Sequence, residues 1–535
     1  MSKRPADEPL DVLEVRRNSP ASATPKRLRS EDYDGGDQEH QSSLPTSADT
    51  EDDDHLDEEP DLAPQKPTGP AEGFSDLYLD TVNRALLDFD FEKLCSISLS
   101  NINVYACLVC GKYFQGRGKS SHAYTHSLDQ DHHVFINMAS LNVYILPESY
   151  EVKNKTLDDI KYVVNPTYTK EDVRRLDREE VEKTDLGKKK YIPGFVGLNN
   201  IKQNDYVNVV VHALAHVVPL RNYFMLEDLR FKPELAQRLS TLIRKVWNPR
   251  AFKSHVSPHE LLQEISLRSS KKFTLLQQSD PVDFTHWFLN NLHLALGGSK
   301  TKPQSSIIQQ VFQGKLKLES QAITAKADAS DRLRFEEAGE IKTQVTRFMV
   351  LTLDLPPKPI FRTDDGGSEG ERNIIPQVPL TTILRKYDGL HPQELQGMRR
   401  RYRLLHPLPP YLMFHIKRFT QNKFVAERNN TIVTFNPRSL DMSPFVEPGE
   451  KMDMGEPILY DLVANITHET VVETGKREGE LKSVYKVQLL EKARGKWFEI
   501  QDLVVKEVAR ELLFTSESYV QIWEKRRVGK REGKA

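Results

Sequence analysis

A cysteine pair followed by clustered histidines constrains the fold of this chain more than any other feature. Cys107 and Cys110 have the C-x₂-C spacing, and the histidines that follow are His122, His126, His132 and His133. Two thiolates on a tight turn can occupy two corners of a tetrahedral zinc site, and two neutral imidazoles can supply the others. A redox-active cysteine pair would need a strand–helix context without such histidines. The pattern therefore predicts a structural zinc site with no open position for water.

The composition indicates a soluble intracellular protein. The 535 residues allow more than one domain, and 38% hydrophobic against 28% charged residues is typical of a globular chain. Three cysteines are too few for a secreted disulfide scaffold. No apolar run approaches the ~20 residues of a membrane helix, so no membrane contact is expected. The formal net charge of −2 argues against a global attraction to nucleic acid.

Changes in composition divide the chain into four regions. Residues 1–72 are rich in Pro, Ser, Asp and Glu and poor in aromatic residues, which predicts disorder. Aromatic and apolar residues predict a first folded unit over 73–180 and a larger one over 190–525. Between the two units, the densely charged segment Lys170–Lys190 is predicted to be a helical or extended linker. A basic tail follows at 526–535.

Charged segments at both ends of the chain suggest partners. Arg16-Arg17 and Lys26–Arg29 form two basic clusters, which are either a nuclear-import sequence or a solvated tail. Glu51–Asp61 holds eight acidic residues in eleven positions, and such blocks usually stay extended and solvated. The basic residues of Lys525–Arg531 could contact phosphates or be a solvated surface.

The zinc region resembles the UBP-type zinc finger of ubiquitin proteases. The resemblance lies in Tyr105–Gly111, Gly116–Gly118 and the segment from His122 to His132. It implies Cys107, Cys110, His126 and His132 as ligands, with His122 and His133 as alternates. Members with more zinc ions carry extra cysteine pairs, and only Cys95 remains here, so one zinc ion is expected. Lys112 stands near the position where many members use arginine to grip the ubiquitin tail, which leaves ubiquitin binding uncertain.

Residues 197–208 resemble the cysteine box of the ubiquitin-specific proteases. That box reads Gly-Leu-x-Asn-x-Gly-Asn-Thr-Cys-Tyr-Met-Asn, and it places a cysteine at a helix N-terminus, where its pKa is lowered. A helix is predicted from the spacing of Val207, Val210, Val211, Leu214 and Val218. Asp205 stands at the cysteine position. A carboxylate suits a helix start but has no thiol to form an acyl-enzyme. The resemblance places Asn200 at the oxyanion-stabilising position.

Further blocks of the same family follow in order. They lie at residues 278–284, 311–316, 408–419 and 460–468. Alternating apolar residues predict a strand in the third block. Many members bind a second zinc ion with cysteine pairs in the fingers subdomain. This chain has no cysteine after Cys110, so that ion is expected to be absent.

The positions of the family's general base and orienting residue also differ. The base belongs to a Gly-His-Tyr block, and Ser483-Val484-Tyr485 aligns with it, which places Val484 at the base position. Valine cannot accept a proton. His468 is a neighbour of the base in this family. Gln501, in the block Trp497–Asp502, stands at the orienting position.

These resemblances together predict an α+β chain that is not an enzyme. A disordered N-terminus and a small zinc finger precede a papain-like domain with thumb, palm and fingers. The chain resembles the inactive, spliceosomal branch of the ubiquitin-specific proteases. That resemblance implies a nuclear, non-catalytic scaffold that supports pre-mRNA splicing by assembling or stabilising the tri-snRNP. Its expected partners are tri-snRNP proteins, and a tail-mediated or indirect contact with snRNA is left open. The alternative is a ubiquitin-binding adaptor without a splicing role.

Overall fold

The computed structural model describes residues 77–327, 333–357, 376–395, 397–421, 426–448, 457–472 and 481–526. All of them belong to one compact unit, Pro67–Ala535. The region 1–72, with its basic clusters and acidic run, lies outside the described residues, as does the basic tail beyond Arg526.

The first part of the described chain is a small antiparallel sheet with short helices. The strand order is β2-β1-β3-β4-β5. The strands are β1 Val104–Cys107, β2 Tyr113–Gln115, β3 Val134–Asn137, β4 Val143–Ile145 and β5 Tyr150–Val152; the helices are α1 His122–Asp129, α2 Asp158–Val164 and α3 Lys170–Arg175. Side chains alternate along a strand, so β1 buries Val104 and Ala106 in one apolar cluster and Tyr105 and Cys107 in another.

Two short strand pairs and six helices follow. They are β6 Lys183–Thr184, β7 Lys190–Tyr191, β8 Gly197–Leu198, β9 His255–Val256, α4 Asp205–Ala215, α5 Val218–Leu226, α6 Glu234–Val246, α7 His259–Arg268, α8 Pro281–Ala295 and α9 Ile307–Phe312. The linker predicted over 170–190 contains α3, β6 and the start of β7. Every residue of α4 is buried, including the polar residues Asp205, Asn208 and His212.

The predicted helix over Val207–Val218 is interrupted near its end. The helix α4 ends at Ala215, and Val218 begins α5. Pro219 lies in the first turn of α5, where its missing N–H group costs no hydrogen bond, whereas it would interrupt a continuing helix. No single helix of the described residues is long and apolar enough to cross a membrane; α4 and α5 meet the length and composition limits only as a pair bent by 89°.

The rest of the described chain is mainly β-sheet. Its elements are β10 Gly314–Ala327, β11 Leu333–Phe348, β12 Leu351–Asp354, β13 Gln377–Pro379, α10 Leu380–Leu384, β14 Gln393–Leu395, β15 Met398–Leu405, β16 Tyr411–Lys417, β17 Phe419–Gln421, β18 Ala426–Arg428, β19 Ile432–Thr434, β20 Leu440–Asp441, β21 Val446–Glu447, β22 Leu459–Val472, β23 Leu481–Glu491, β24 Lys496–Gln501, β25 Val504–Val508 and β26 Ser518–Lys525. The strand predicted within 408–419 is present as β16.

Two sheets dominate this part. The eight-stranded sheet runs β12-β16-β26-β22-β23-β24-β25, with β20 paired to β22. The five-stranded sheet runs β11-β10-β15-β14, with β21 paired to β15. Helix α4 packs against β22 and β23, so its first residue lies beside the strand that carries Val484. The mixed helix and strand content confirms the predicted α+β class.

Buried ion pairs connect the segment before β1 to the helical part. The Asp90 carboxylate lies 3.0 Å from Lys245 Nζ and 3.2 Å from Lys253 Nζ, and it accepts the Ser257 N–H at 3.0 Å. Lys245 also donates to the Phe89 carbonyl at 2.6 Å. Only 8% of Asp90 and 7% of Lys245 are exposed. The small sheet is therefore tied to α6 and to the segment before α7.

Candidate functional site

Local structure brings together four of the predicted zinc-binding side chains. The cysteine pair lies at the turn between β1 and β2, His126 on α1 and His132 just before β3. The ligand atoms of Cys107, Cys110, His126 and His132 all lie within 4.8 Å of one another. Cys110 Sγ is 3.5 Å from His126 Nε2, which is 3.1 Å from His132 Nδ1. The edges of a tetrahedral zinc site with these donors are about 3.3–3.8 Å long, so the four residues fit zinc.

The electrostatics of the cluster favour one thiolate and one neutral imidazole. A hydrogen bond from the Cys107 thiol lowers the pKa of Cys110 to about 4, against the opposing effect of burial. The same hydrogen bond, together with burial, raises the pKa of Cys107. Burial lowers the pKa of His126, which keeps its imidazole neutral. A thiolate and a neutral imidazole are the ligand forms that zinc requires.

The two alternate histidines lie outside this cluster. His133 Nδ1 lies 2.7 Å from the Leu146 carbonyl and Nε2 lies 2.8 Å from Asp131, while the ring stacks on Tyr78. His122 is the first residue of α1, and neither histidine belongs to the group of clustered ligand atoms. Cys95 is buried, and its sulfur accepts the Ser98 N–H at 3.4 Å.

The Asp205 carboxylate occupies the start of α4, facing β23. Its Oδ1 accepts the Tyr206 N–H at 2.9 Å. Its Oδ2 accepts from Gln278 Nε2 at 2.7 Å and from the Tyr485 N–H at 3.2 Å. Asp205 is only 5% exposed. The helix dipole and these N–H groups stabilise the negative charge, so the carboxylate has its hydrogen bonds satisfied where it lies.

Asparagine side chains fix the turn before Asp205. Asn204 Oδ1 accepts the Ile201 N–H at 2.7 Å, and its amide donates to Asn208 Oδ1 at 3.0 Å. The Asn204 N–H donates to Asn200 Oδ1 at 3.1 Å. Asn200 therefore supports the turn, and it also forms a hydrogen bond with Asp502 that opposes the burial-raised pKa of that carboxyl group.

Val484 lies on the strand beside Asp205, and Gln501 forms no hydrogen bond with that carboxylate. Tyr485, whose N–H group donates to Asp205, directly follows Val484 in β23. Val484 is 9% exposed and lies opposite Glu469 of β22. Gln501 is on β24, paired with Val504, and its side chain makes no hydrogen bond to another described residue. Asp205 and Val484, two of the three positions that the resemblance aligns with catalytic residues, are therefore close together.

His468 is a buried neighbour of this cleft. Its Nε2 lies 3.1 Å from Ser483 Oγ, and burial, with Arg428 and Arg418 nearby, lowers its pKa to about 4. Its Nδ1 is buried without a hydrogen-bond partner among the described residues. The imidazole is thus neutral, and it points to Ser483 and not to the Asp205 carboxylate.

Sequence reasoning missed the role of Gln278. Its side chain donates both to Asp205 and to the Ser483 carbonyl, at 2.7 and 3.0 Å, and so joins the start of α4 to β23. The glutamine opens the family block at 278–284, so its presence was visible in the sequence. Its partners were not, because they are 73 and 205 residues away along the chain.

Family models match both folded parts. The model described as ubiquitin carboxyl-terminal hydrolase matches residues 196–523, and that of the zinc finger in ubiquitin hydrolases and other proteins matches residues 95–157. The chain therefore belongs to the ubiquitin carboxyl-terminal hydrolase family and carries the UBP-type zinc finger, which implies zinc binding.

Individual relatives narrow this class. The probable mRNA-splicing protein ubp10 of Schizosaccharomyces pombe is 52% identical over 84% of this chain and 88% of its own length. Human ubiquitin carboxyl-terminal hydrolase 39 is 45% identical over 84% of this chain and 80% of its own length. The pre-mRNA-splicing factor SAD1 of Saccharomyces cerevisiae is 33% identical over 84% of this chain and 93% of its own length. A crystal structure of an essential yeast splicing factor matches with a TM-score of 0.66 and 33% identity, over 84% of this chain and all of that one. Three of these four are named for splicing, which confirms the predicted splicing role.

Proposed function

We propose that this chain is a non-catalytic scaffold with a ubiquitin-specific-protease fold. It acts in the nucleus and supports pre-mRNA splicing by assembling or stabilising the spliceosomal tri-snRNP. The observation that carries the non-catalytic reading is Asp205, a carboxylate with both oxygens hydrogen-bonded at the start of α4. Asp205, Val484 and Gln501 are the degenerate counterparts of nucleophile, base and orienting residue.

The chemistry of the cleft supports this reading. Covalent hydrolysis by a cysteine protease needs a thiolate and a base that activates it. The sequence has no cysteine after Cys110, and the side chain at position 484 is a valine. Asp205 accepts hydrogen bonds that tie α4 to β23, so the position has a structural use without a reaction. Partner binding needs well-placed surface side chains and no reactive thiol.

The finger holds one structural zinc ion in this proposal. Its ligands are Cys107, Cys110, His126 and His132, the four that lie together. Four protein ligands leave no open position, so the ion would contribute to folding and not to catalysis. The finger and the hydrolase-like surface then bind proteins of the tri-snRNP. The relatives named for splicing support this assignment, and the basic clusters at Arg16-Arg17 and Lys26–Arg29 agree with nuclear import.

The first test is a pull-down of the tagged full chain from nuclear extract at two salt concentrations. Recovery of the tri-snRNP RNAs and their core proteins is the expected result. Recovery of ubiquitin conjugates without those RNAs would overturn the splicing assignment and favour a ubiquitin-binding adaptor. An extract treated with RNase separates protein contacts from those that need RNA.

The second test addresses catalysis. Neither the natural chain nor Asp205→Cys should release the fluorophore from a ubiquitin–fluorophore substrate, because Val484 supplies no base. Asp205→Ser is the matched control, since it has a similar size without a thiol. Turnover by Asp205→Cys that is absent from Asp205→Ser would refute the assignment of Val484 as the lost base.

A further inference from the structure

One face of the five-stranded sheet carries a row of cationic side chains that the family comparison does not explain. Residues directly opposite each other in an antiparallel pair share a face. The register pairs Lys317 with Arg403, Lys315 with Arg347 and Glu319 with Arg401. Alternation along β15 adds Arg399. We call this set the arginine face: Lys315, Lys317, Arg347, Arg399, Arg401 and Arg403.

The other face of the same sheet points to the protein core. Leu404 is fully buried there, and Leu316, Tyr402 and Phe348 pack against the same apolar cluster. These residues alternate with the cations along β10, β15 and β11, and therefore lie on the opposite face. The arginine face is thus the side of the sheet that the core leaves uncovered, and Lys315 and Arg347 are exposed.

The positive charge on this face is only partly balanced. Lys317 lies 3.2 Å from both Glu319 and Glu447, and Glu394 of β14 stands directly opposite Arg399 on the same face. Because Glu319 is engaged there, Arg401 makes no ion pair with the carboxylate opposite it. The side chains of Lys315, Arg347 and Arg401 make no ion pair or hydrogen bond with another described residue. The buried Nε atoms of Arg401 and Arg403 likewise have no partner among the described residues.

Two of the cross-strand pairs, Lys315–Arg347 and Lys317–Arg403, place like charges directly opposite each other. Such pairs destabilise a sheet, so this arrangement costs folding free energy unless an anion neutralises it. Arg399, Arg401 and Arg403 recur every second residue, about 6.8 Å apart along an extended strand. A regular row of guanidinium groups suits a partner with one negative charge per repeat, and guanidinium binds phosphate in a bidentate manner.

We propose that the arginine face binds the sugar–phosphate backbone of RNA. The described residues of this face include no aromatic side chain for stacking on bases, which indicates binding through phosphates without reading sequence. RNA is favoured over an acidic protein because the charges form a straight, regular row and because the proposed splicing function supplies RNA partners. The inference extends that function, and this contact is separate from the C-terminal basic tail.

The test is a titration of the full chain with fluorescein-labelled oligouridine, followed by anisotropy between about 50 and 200 mM salt. Arg347→Gln/Arg401→Gln removes two charges from the arginine face. Arg400→Gln/Lys342→Gln is the matched control, because it removes two charges from the same two strands on the opposite face. A chain that ends at Arg526 tests the basic tail, and thermal melts verify that each variant is folded.

If both removed side chains contact phosphates, the affinity at 0.1 M salt should fall about 25-fold and the log–log salt slope should become shallower by about 1.4. The opposite-face control should change neither value. Equal loss in both double variants, loss only on removing the tail, or no RNA binding would overturn the proposal. So would tighter binding of a peptide with the acidic sequence of residues 51–61. The nuclear pull-down tests the splicing function separately, so failure here would leave that result standing.

Discussion

The buried contact between Asp90 and Lys245 allows a quantitative test of how the zinc finger is joined to the hydrolase-like part. Burial opposes ionisation of Asp90, but Lys245, Lys253 and the Ser257 N–H group outweigh it and lower the pKa of this carboxyl group. Asp90→Asn removes the charge and preserves the shape. It would leave the Lys245 ammonium buried beside a neutral amide.

Removing one partner of a buried ion pair typically costs about 3–5 kcal/mol. For a chain of this size each kcal/mol shifts Tm by about 1 °C, so Tm should fall by about 3–5 °C. Because the folded pKa of Asp90 is lowered, its stabilising contribution is present above the unfolded pKa of about 3.9 and is lost as pH falls through the folded value. The destabilisation caused by Asp90→Asn should therefore have its full size at neutral pH.

The assay is a thermal melt combined with hydrogen exchange of residues 86–93 and 245–257, which should exchange faster in the variant. Asp228→Asn is the control, since Asp228 pairs with Arg230 in solvent and its loss should leave Tm nearly unchanged. The double variant Asp90→Leu/Lys245→Met should recover most of the stability, because apolar replacement of a buried pair is often neutral or favourable. Equal, small effects of Asp90→Asn and Asp228→Asn would refute the buried connection.

Two further predictions concern the zinc finger and the buried histidines. Cys107→Ser should lose its zinc, as measured by elemental analysis, and its finger should unfold. His122→Ala is the control and should retain the metal. Zinc retained by Cys107→Ser would contradict the ligand set. Burial lowers the pKa of His212 to about 3 and that of His216 to about 4, so the unfolded chain binds protons that the folded chain excludes as pH falls below about 6.5. Both ring nitrogens of His212 lack partners among the described residues. Relative to the natural chain, the free energy of unfolding of His212→Leu should therefore be larger at pH 5 than at neutral pH by about 2 kcal/mol. Urea unfolding at both pH values measures this difference, and an unchanged pH profile would contradict it.

Local sequence patterns predicted which side chains meet in the finger and one strand of the larger part. The C-x₂-C turn and the histidines lie close in sequence, so their meeting depends only on β1, β2, α1 and the turn that leads into β3. The alternation that predicted β16 is likewise a property of seven consecutive residues, Tyr411–Lys417. Such features need no knowledge of which strands pair.

Features that depend on distant pairing were out of reach. Helix α4 ends at Ala215 and α5 begins at Val218, with Pro219 in its first turn. The spacing of the apolar residues alone predicted one continuous helix across this break. The arginine face becomes visible only when the register of β10 with β11 and β15 is known, since a shift of one residue would turn the cations toward the core. The donors to Asp205 come from Gln278 and Tyr485, and only the tertiary fold brings them to α4.

The hydrogen bonds around Asp205 suit the non-catalytic function proposed above, because they give this position a structural role. A carboxylate accepts several charge-assisted hydrogen bonds, whereas a thiol is a weak acceptor. A cysteine at this position would weaken the bonds from Gln278 and from the buried Tyr485 N–H, and a buried donor left unsatisfied costs about 1–3 kcal/mol. The aspartate thus stabilises the junction of α4 with β23 at the position where a thiolate would react. Under the proposed function, hydrolysis would require a base at Val484 and new partners for these donors as well as a thiol. The role that we propose for this cleft is therefore to hold α4 and β23 together.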